Sequence, residues 1–494
     1  MFHNRWVRRL AIGFGIAVVA AIALLIYHRY ATFATGEEQL AAVVAELDAS
    51  DPRWRYADLD LARGHLPDDE NSALLVPKFT AALAASKLEA TRANGQLVVF
   101  DGPPNRWLDD GAYAAIDRAL DRNGAALAVA RSFRDRPRGL RHLNVSPDFV
   151  GTLMPHLQDM RQIFTALDLE SERLAHDGRP GAALQLVIAM IHAARSTDGE
   201  PTLISAFVRL AGDEMTVRRI ERLLALGEPK GGLGEVQSVL ALEAESDLFW
   251  YALRGERAGV DLLFRNLETG NLPVGRYLEA LDIADPAGSR RRVRRPELVE
   301  AVIYAPHLPG DHARYLEVLT QACEVARRPD HEQSAALAAV LDEPVDPDHR
   351  FTRLLSGAAF GKLHTASLRG KAGLRCAVVG LALERCRLRD GRWPNSLADV
   401  PRDILADIPL DPFDGKPLKY TRRGDGVTVY SVGADGRNDG GRVIDGPDAK
   451  APGTDVGFRL YDPKARGLPA ARPPVEAADG QVEPGPEPRE VERD

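Results

Sequence analysis

The sequence predicts a mainly α-helical protein with one transmembrane helix, a domain of helical hairpins and a small α+β domain near its C-terminus. Three observations predict this fold class: an uncharged apolar run near the N-terminus, apolar residues at spacings of three and four over most of the chain, and turn and strand signals after the last long helix. The expected regions are a cytoplasmic N-terminus at 1–9, a span at 10–30, a helical domain at 36–360, an α+β domain at 362–463 and a disordered tail at 464–494.

Length, composition and charge exclude several classes of protein. The 494 residues predict two or three domains at roughly 150 residues per domain, which excludes a single small module. The hydrophobic fraction of 45% beside a charged fraction of 27% argues against wholesale disorder and against a multi-span membrane protein. The formal net charge of -8 argues against nucleic acid as a partner, because phosphate binding needs a basic surface.

The apolar run from Leu10 to Tyr27 predicts a contact with the lipid bilayer. At about 1.5 Å per residue, it covers most of the roughly 30 Å hydrocarbon thickness. Arg5, Arg8 and Arg9 precede the run, so the positive-inside rule places the N-terminus in the cytoplasm. A cleavable signal peptide, with a small-residue cleavage site at 32–34, is the alternative. In a bacterium, a retained span predicts a single-pass protein of the inner membrane whose bulk is periplasmic or extracellular.

Helical hairpins are predicted for the long middle region. Segments 157–175, 182–195 and 201–226 have helical apolar spacing and are joined by short turns, which favour antiparallel neighbours. The segment from Leu174 to Ala194 resembles the inner turn of a tetratricopeptide-type helix pair. A repeat of about 34 residues cannot be followed along the chain, so the sequence predicts an array of helical hairpins without a repeat family.

Three motifs follow the last predicted helix, which ends near Arg389. Gly391-Arg392-Trp393-Pro394 comes first, a segment from Pro409 to Tyr420 second, and a segment from Tyr430 to Gly436 third. The second and third motifs consist of Pro409, Asp411, Pro412, Phe413, Gly415, Pro417 and Tyr420, and of Tyr430, Ser431, Gly433, Ala434, Asp435 and Gly436, with Asp455 and Val456 at the end. In order and spacing these motifs resemble the head domain of the major pseudopilins of type II secretion systems.

The turn signal Gly424-Asp425-Gly426 predicts a hairpin of strands at 419–422 and 427–432, and 456–460 supplies a further strand. The resemblance covers roughly 100 of the 494 residues and implies a small α+β domain. The chain departs from the family in two respects. It lacks the processed Phe and the Glu that begin a pseudopilin's membrane helix, and more than 300 residues separate its apolar run from the head-like segment. The sequence therefore predicts a pseudopilin-like module on a different kind of membrane protein.

The same resemblance implies a calcium site. In the family, the loop after the Ser-x-Gly-Ala-Asp-Gly segment binds Ca²⁺, which implies Asp435 and Asp455 as ligands, helped by Asp439 or Asp445. Calcium takes six to eight oxygen ligands, and a loop rich in Gly and Asp can supply carboxylates and carbonyls. The alternative is that these aspartates only form turns.

Catalytic motifs are scarce. His331-Glu332 begins a string like that of zinc proteases, but Ala335 occupies the position of the second histidine. No Gly-x-Ser-x-Gly elbow and no phosphate-cradling loop occurs in the sequence. We therefore expect a membrane-anchored binding or scaffold protein of the cell envelope, with a protein partner and no catalysis. An exported hydrolase with its site in the helical domain and an accessory of a type II secretion or pilus-like apparatus are the alternatives.

Overall fold

A computed structural model of the protein describes residues 2–83, 88–93, 95–98, 100, 102–284, 296–355, 357–444, 451 and 453–470. Over these residues the chain is mainly helical, as predicted, with one small three-stranded sheet. The helices are α1 (Phe2–Ser50), α2 (Tyr56–Ala62), α3 (Leu75–Ala82), α4 (Asp110–Asp121), α5 (Gly124–Arg131), α6 (His156–His176), α7 (Pro180–Ala194), α8 (Leu203–Leu226), α9 (Leu233–Ala244), α10 (Leu248–Glu268), α11 (Val274–Ala284), α12 (Glu297–Tyr304), α13 (Leu308–Val325), α14 (Asp330–Leu341), α15 (Arg350–Leu355) and α16 (Ala358–Asp390). The strands are β1 (Lys419–Arg423), β2 (Gly426–Ser431) and β3 (Val456–Tyr461).

Helix α1 continues without a break from the apolar run into the folded domain. Within the described residues it is the one helix long and apolar enough to cross a membrane. Its second half packs against α13, where Gly36 meets Gly310 so closely that a Cβ on Gly36 would lie 2.7 Å from the Gly310 nitrogen. Leu47 near its end joins Trp54 and Leu316 in a small buried cluster. The apolar run and the domain are therefore connected by a helix and not by a linker.

The three helices predicted in the middle of the chain are present in the structure. Helices α6, α7 and α8 coincide with the three predicted segments to within a few residues, and α7 packs against both of its neighbours. Gly178, with φ of 72°, ends the first of them in the left-handed conformation that glycine adopts without a Cβ penalty. Short turns therefore place successive helices side by side, as expected.

The three strands also lie where the sequence predicted them. They form an antiparallel sheet in the order β1-β2-β3, with Lys419 opposite Tyr430 and Val429 opposite Phe458. The sheet packs on α16, and Phe458 lies over Gly380 so closely that a Cβ on Gly380 would come within 2.5 Å of the ring. The α+β segment is therefore built around its long helix.

The hydrophobic core does not follow the expected boundary between 360 and 362. One cluster of buried side chains contains residues of α7, α8, α9, α16 and the sheet. Within α16 the segment 376–383 is apolar and buried on every face, and the helix packs on the sheet and on α8 and α9 together. One core therefore extends across the predicted boundary between the helical and the α+β regions.

The predicted tail begins too early. Residues 464–470 pack on the domain: the backbone N–H of Trp107 donates to the carbonyl of Leu468 (2.9 Å), and the N–H of Leu468 donates to the carbonyl of Asn105 (2.8 Å). The Arg466 guanidinium binds the buried carboxylate of Glu384. These contacts outweigh the Pro- and Gly-rich composition that predicted disorder, while the part of the predicted tail from 471 onward lies outside the described residues.

Glu256 on α10 gives a testable pH dependence. Its Oε1 accepts the backbone N–H of Leu203 at the start of α8 (2.8 Å), and burial raises the pKa of its carboxyl to about 7. The stabilising effect of the retained proton is complete below the unfolded value of 4.5 and is lost as pH rises through the folded value. The quantity to compare is the free energy of unfolding of the Glu256→Gln variant minus that of the native chain. We expect this difference to be about 2 kcal/mol larger at pH 8 than at pH 4.5.

Urea unfolding of both chains at a series of pH values measures this difference. The comparison must be made between variants because burial lowers the pKa of His364 to about 4, which reduces stability as pH falls from 6.5 and opposes the Glu256 trend. Glu245→Gln, at the exposed end of α9, is the matched control and should give no pH-dependent difference. A pH-independent difference for Glu256→Gln would contradict the prediction.

Candidate functional site

A cavity of about 550 Å³ lies where the turn between α7 and α8 meets α2, α9 and α10. Its wall is unusually rich in charged and aromatic side chains. The polar and aromatic residues on it are Arg63, Arg138, Arg195, Thr197, Asp198, Glu200, Arg209, Glu243, Ser246, Asp247, Trp250, Tyr251 and Arg254. Its volume is in the range of small-molecule sites.

Glu243 is the centre of the charge pairing on this wall. The Arg195 Nε donates to Glu243 Oε2 at 2.6 Å, and the Arg209 Nη2 donates to Glu243 Oε1 at 2.7 Å. Burial would raise the pKa of the Glu243 carboxyl, but the charges and hydrogen bonds of Arg209 and Arg195 outweigh that effect and lower it. Arg209 also donates to Asp198 at 2.9 Å, so both guanidinium groups are fixed in place.

Asp213 lies next to this pairing and behaves differently. It is 2% exposed, and its Oδ1 accepts no hydrogen bond within the described part of the chain. Burial and then the negative charge of Glu243 raise its pKa well above the ordinary value, against the opposing charges of Arg209 and Arg195. The surroundings of Asp213 therefore oppose its ionisation, whereas those of Glu243 favour the charged carboxylate.

Two hydrogen-bond donors that have no acceptor among the described residues converge at Gly199 in the cavity wall. A Cβ placed on Gly199, whose φ is 69°, would lie 3.3 Å from Arg63 Nε and 3.7 Å from the Tyr251 hydroxyl. Arg63 Nε is buried and donates to no described residue, although its other nitrogens bind Asp60 and a backbone carbonyl. Burial raises the pKa of Tyr251, so its hydroxyl remains a donor.

A third donor is at the rim. The Arg138 side chain is exposed and makes no hydrogen bond or ion pair with the residues that the structure describes. Trp250 supplies an apolar surface beside these donors, with Arg254 over its ring at 4.8 Å. The paired arginines shape the wall, and Arg63, Tyr251 and Arg138 are the groups with donors to offer a ligand.

A histidine, a glutamate and a serine meet behind the same wall. The Ser205 hydroxyl donates to Glu200 Oε2 at 2.5 Å, and His156 Nε2 lies 2.9 Å from Glu200 Oε1. In a hydrolytic triad the histidine contacts the serine and removes its proton. Here the Glu200 carboxylate stands between His156 and Ser205, so the histidine does not contact the serine hydroxyl. The three side chains together fix the turn between α7 and α8 and do not activate the hydroxyl.

The predicted calcium ligands lie in the loop before β3. Asp455 accepts backbone N–H groups from Asp439 (3.3 Å), Gly441 (2.7 Å) and Arg442 (3.2 Å), and Asp435 accepts those of Arg437 and Gly453 (both 3.0 Å). Asp439 Oδ2 is buried and accepts no hydrogen bond from described residues.

The loop brings Asp439 and Asp455 together, and burial, with a contribution from the charge of Asp439, raises the pKa of Asp455. Asp445 lies outside the described residues. Among the described residues no group of three or more His, Cys, Asp or Glu side chains could hold a metal. The observed partners of Asp435 and Asp455 are backbone amides, as in turns, and calcium binding stays a prediction.

Sequence reasoning missed the cavity because its residues are far apart in the chain. Arg63 follows the last residue of α2, Gly199 lies in an interhelical turn and Tyr251 in α10, and they share no motif. The available signal was the segment 249–257, where three consecutive aromatic residues at the start of a helix are followed by two arginines. Such a segment indicates a polar surface but does not say which other elements face it.

The comparisons with known proteins gave no relative. No family model, no curated protein and no solved structure matches the chain. The likeness of the C-terminal segment to pseudopilin heads therefore rests on its motif residues and stays a prediction.

Proposed function

We propose that this chain is a single-pass membrane-anchored binding protein whose exported domain holds a small organic anion in the cavity beside Gly199. The convergence of the Arg63 Nε and the Tyr251 hydroxyl carries the proposal. A buried donor without an acceptor is costly, and a carboxylate or phosphate oxygen is the acceptor that a guanidinium binds most strongly. The Arg138 side chain at the rim would add a second charged contact.

The anchoring half of the proposal is supported by the surface of α1. Side chains described from Ile12 to His28 are exposed and almost entirely apolar, which water disfavours. Exposed aromatic side chains stand near both ends of this run, with Trp6 before it, Tyr27 as its last residue and Tyr30 after it, as in the aromatic belts of membrane proteins. The arginines before the run support, by the positive-inside rule, the proposal that the domain lies on the far side of the inner membrane, in the periplasm or outside the cell.

The pseudopilin-like segment is assigned a supporting role in this proposal. Strand β2 is buried along its whole length, and the backbone N–H and side chain of Arg459 on β3 both bind Glu221 of α8. The sheet thus stabilises α8, whose Arg209 belongs to the cavity wall. A scaffold role toward a protein partner, membership of a secretion apparatus and calcium binding remain further predictions.

Thermal unfolding of the detergent-solubilised protein with citrate or glycerol 3-phosphate tests the cavity. We expect one of these anions to raise the midpoint saturably, because a ligand that binds only the folded state stabilises it. Tyr251→Phe and Arg138→Gln should each weaken binding by roughly 10- to 100-fold, the value of one hydrogen bond to a charged group. Neither substitution breaks a hydrogen bond within the described residues, so the unliganded stability should change little.

Tyr56→Phe is the matched control. It removes another buried hydroxyl that donates to no described residue, but Tyr56 does not line the cavity. Its anion affinity should equal that of the native chain. Stabilisation that all three variants retain, or the absence of stabilisation by either anion, would contradict the proposed binding site.

A further inference from the structure

Helix α12 presents an apolar face to the outside of the domain. Leu298 is 75% exposed, Val302 53%, Val299 43% and Ile303 40%. Residues at these spacings share one face of a helix, because each residue turns the chain by about 100°. The opposite face points inward: Tyr304 is buried and its hydroxyl donates to the buried Asp311 of α13. The exposed face is therefore held rigidly by the domain.

The position of α12 relates this face to the apolar run of α1. The Arg29 guanidinium donates to the backbone carbonyl of Val302 at 2.5 Å, and the turn after α12, Ala305–His307, packs on α1. Arg29 follows Tyr27, the last residue of the run, by about 3 Å along the helix axis. The headgroup region on each side of a bilayer is about 5–8 Å thick, so α12 lies at its level when the run spans the hydrocarbon core.

We propose that α12 is an interfacial membrane helix, whose face of Leu298, Val299, Val302 and Ile303 enters the boundary between lipid headgroups and acyl chains. This inference rests on the proposed membrane anchoring of α1. The lipid bilayer is the occupant because the face is continuous, through the Arg29 contact, with the exposed apolar surface of α1. Aliphatic side chains at that depth leave water without needing a protein partner.

Site-specific fluorescence in vesicles tests the inference with the full chain. The three native cysteines, Cys323, Cys376 and Cys386, are free and buried, so a cysteine introduced at an exposed position is the one that reacts under native conditions. Leu298→Cys carries an environment-sensitive dye on α12, and Val19→Cys carries it within the apolar run. Leu388→Cys, an exposed leucine in the last turn of α16, is the matched control.

The protein is reconstituted in vesicles of phosphatidylcholine and phosphatidylglycerol that contain nitroxide-labelled lipid. We expect the Leu298 dye to lose roughly two-fold in fluorescence with nitroxide near the headgroups, and the Leu388 dye to be unaffected. Quenching at Val19 without quenching at Leu298 would overturn the inference and leave the anchor intact. The absence of quenching at both positions would overturn the anchor as well.

A second copy of the chain is the competing occupant. In detergent without vesicles, such a contact would shift the emission spectrum of the dye at position 298 to that of an apolar environment. The shift would depend on protein concentration. That result would also overturn the inference, whereas a shift that appears only with lipid supports it.

Discussion

Replacing Glu243 with glutamine is expected to lower the free energy of unfolding by about 3–5 kcal/mol, the usual cost of removing one partner of a buried ion pair. The substitution keeps the shape of the side chain but removes the charge that Arg195 and Arg209 share. Both guanidinium groups are at least nine-tenths buried, so water cannot replace the carboxylate. Urea unfolding of the solubilised protein at neutral pH measures the loss.

Asp213 provides a second test of the charge pairing around Glu243. Because burial and the charge of Glu243 both oppose ionisation of Asp213, Asp213→Asn should by itself change stability by less than about 1 kcal/mol. In the Glu243→Gln chain, Asp213 can ionise and replace part of the lost charge beside Arg209. We therefore expect the double variant to be less stable than the sum of the single effects, by about 1–2 kcal/mol. Strict additivity would contradict this electrostatic coupling between Asp213 and Glu243.

Glu384→Gln is expected to have an effect of similar size, about 3–5 kcal/mol, at the other end of the core. Glu384 is fully buried and accepts hydrogen bonds from Arg466 (both 2.8 Å) and from Arg387 (2.8 and 3.0 Å). Burial would raise the pKa of its carboxyl, but these hydrogen bonds outweigh burial and lower it. The loss should also release residues 463–470, which limited proteolysis followed by mass spectrometry detects.

Glu228→Gln provides the control for this second variant. Glu228 binds the same Arg387 at 2.6 Å, but its side chain is 44% exposed. Exposed ion pairs contribute at most about 1 kcal/mol, so its loss should be small and residues 463–470 should stay protected. Equal effects of the two substitutions would show that the burial of Glu384 does not matter and would contradict the argument.

The elements that the sequence predicted correctly are those with a strong local pattern. Helices α6, α7 and α8 have apolar stripes and short Gly- or Pro-containing turns, and the strands on either side of Gly424-Asp425-Gly426 flank a hairpin signal. The extent of the core was not predictable in this way. Phe458 packs on Gly380 across nearly eighty residues, and no local pattern encodes which helix covers which sheet.

The candidate site was even less accessible to sequence reasoning. Arg63 Nε is a candidate donor to a ligand for two reasons that only the structure shows. The other nitrogens of its guanidinium group bind Asp60 and a backbone carbonyl, and Gly199 has no side chain beside it. A motif search instead favours residues that are close in sequence, such as the aspartates of the loop before β3. In the structure two of those aspartates, Asp435 and Asp455, bind backbone amides.

The uninterrupted helix α1 has a mechanical consequence for the anchored protein. A flexible tether lets a domain explore a hemisphere above its membrane, and its end-to-end distance grows with the square root of its length. A helix of 49 residues is instead a strut about 73 Å long, which the contact of Gly36 with Gly310 fixes to the domain. If α1 anchors the protein as proposed, the domain keeps a constant height and tilt above the bilayer and meets ligands and neighbours in one orientation.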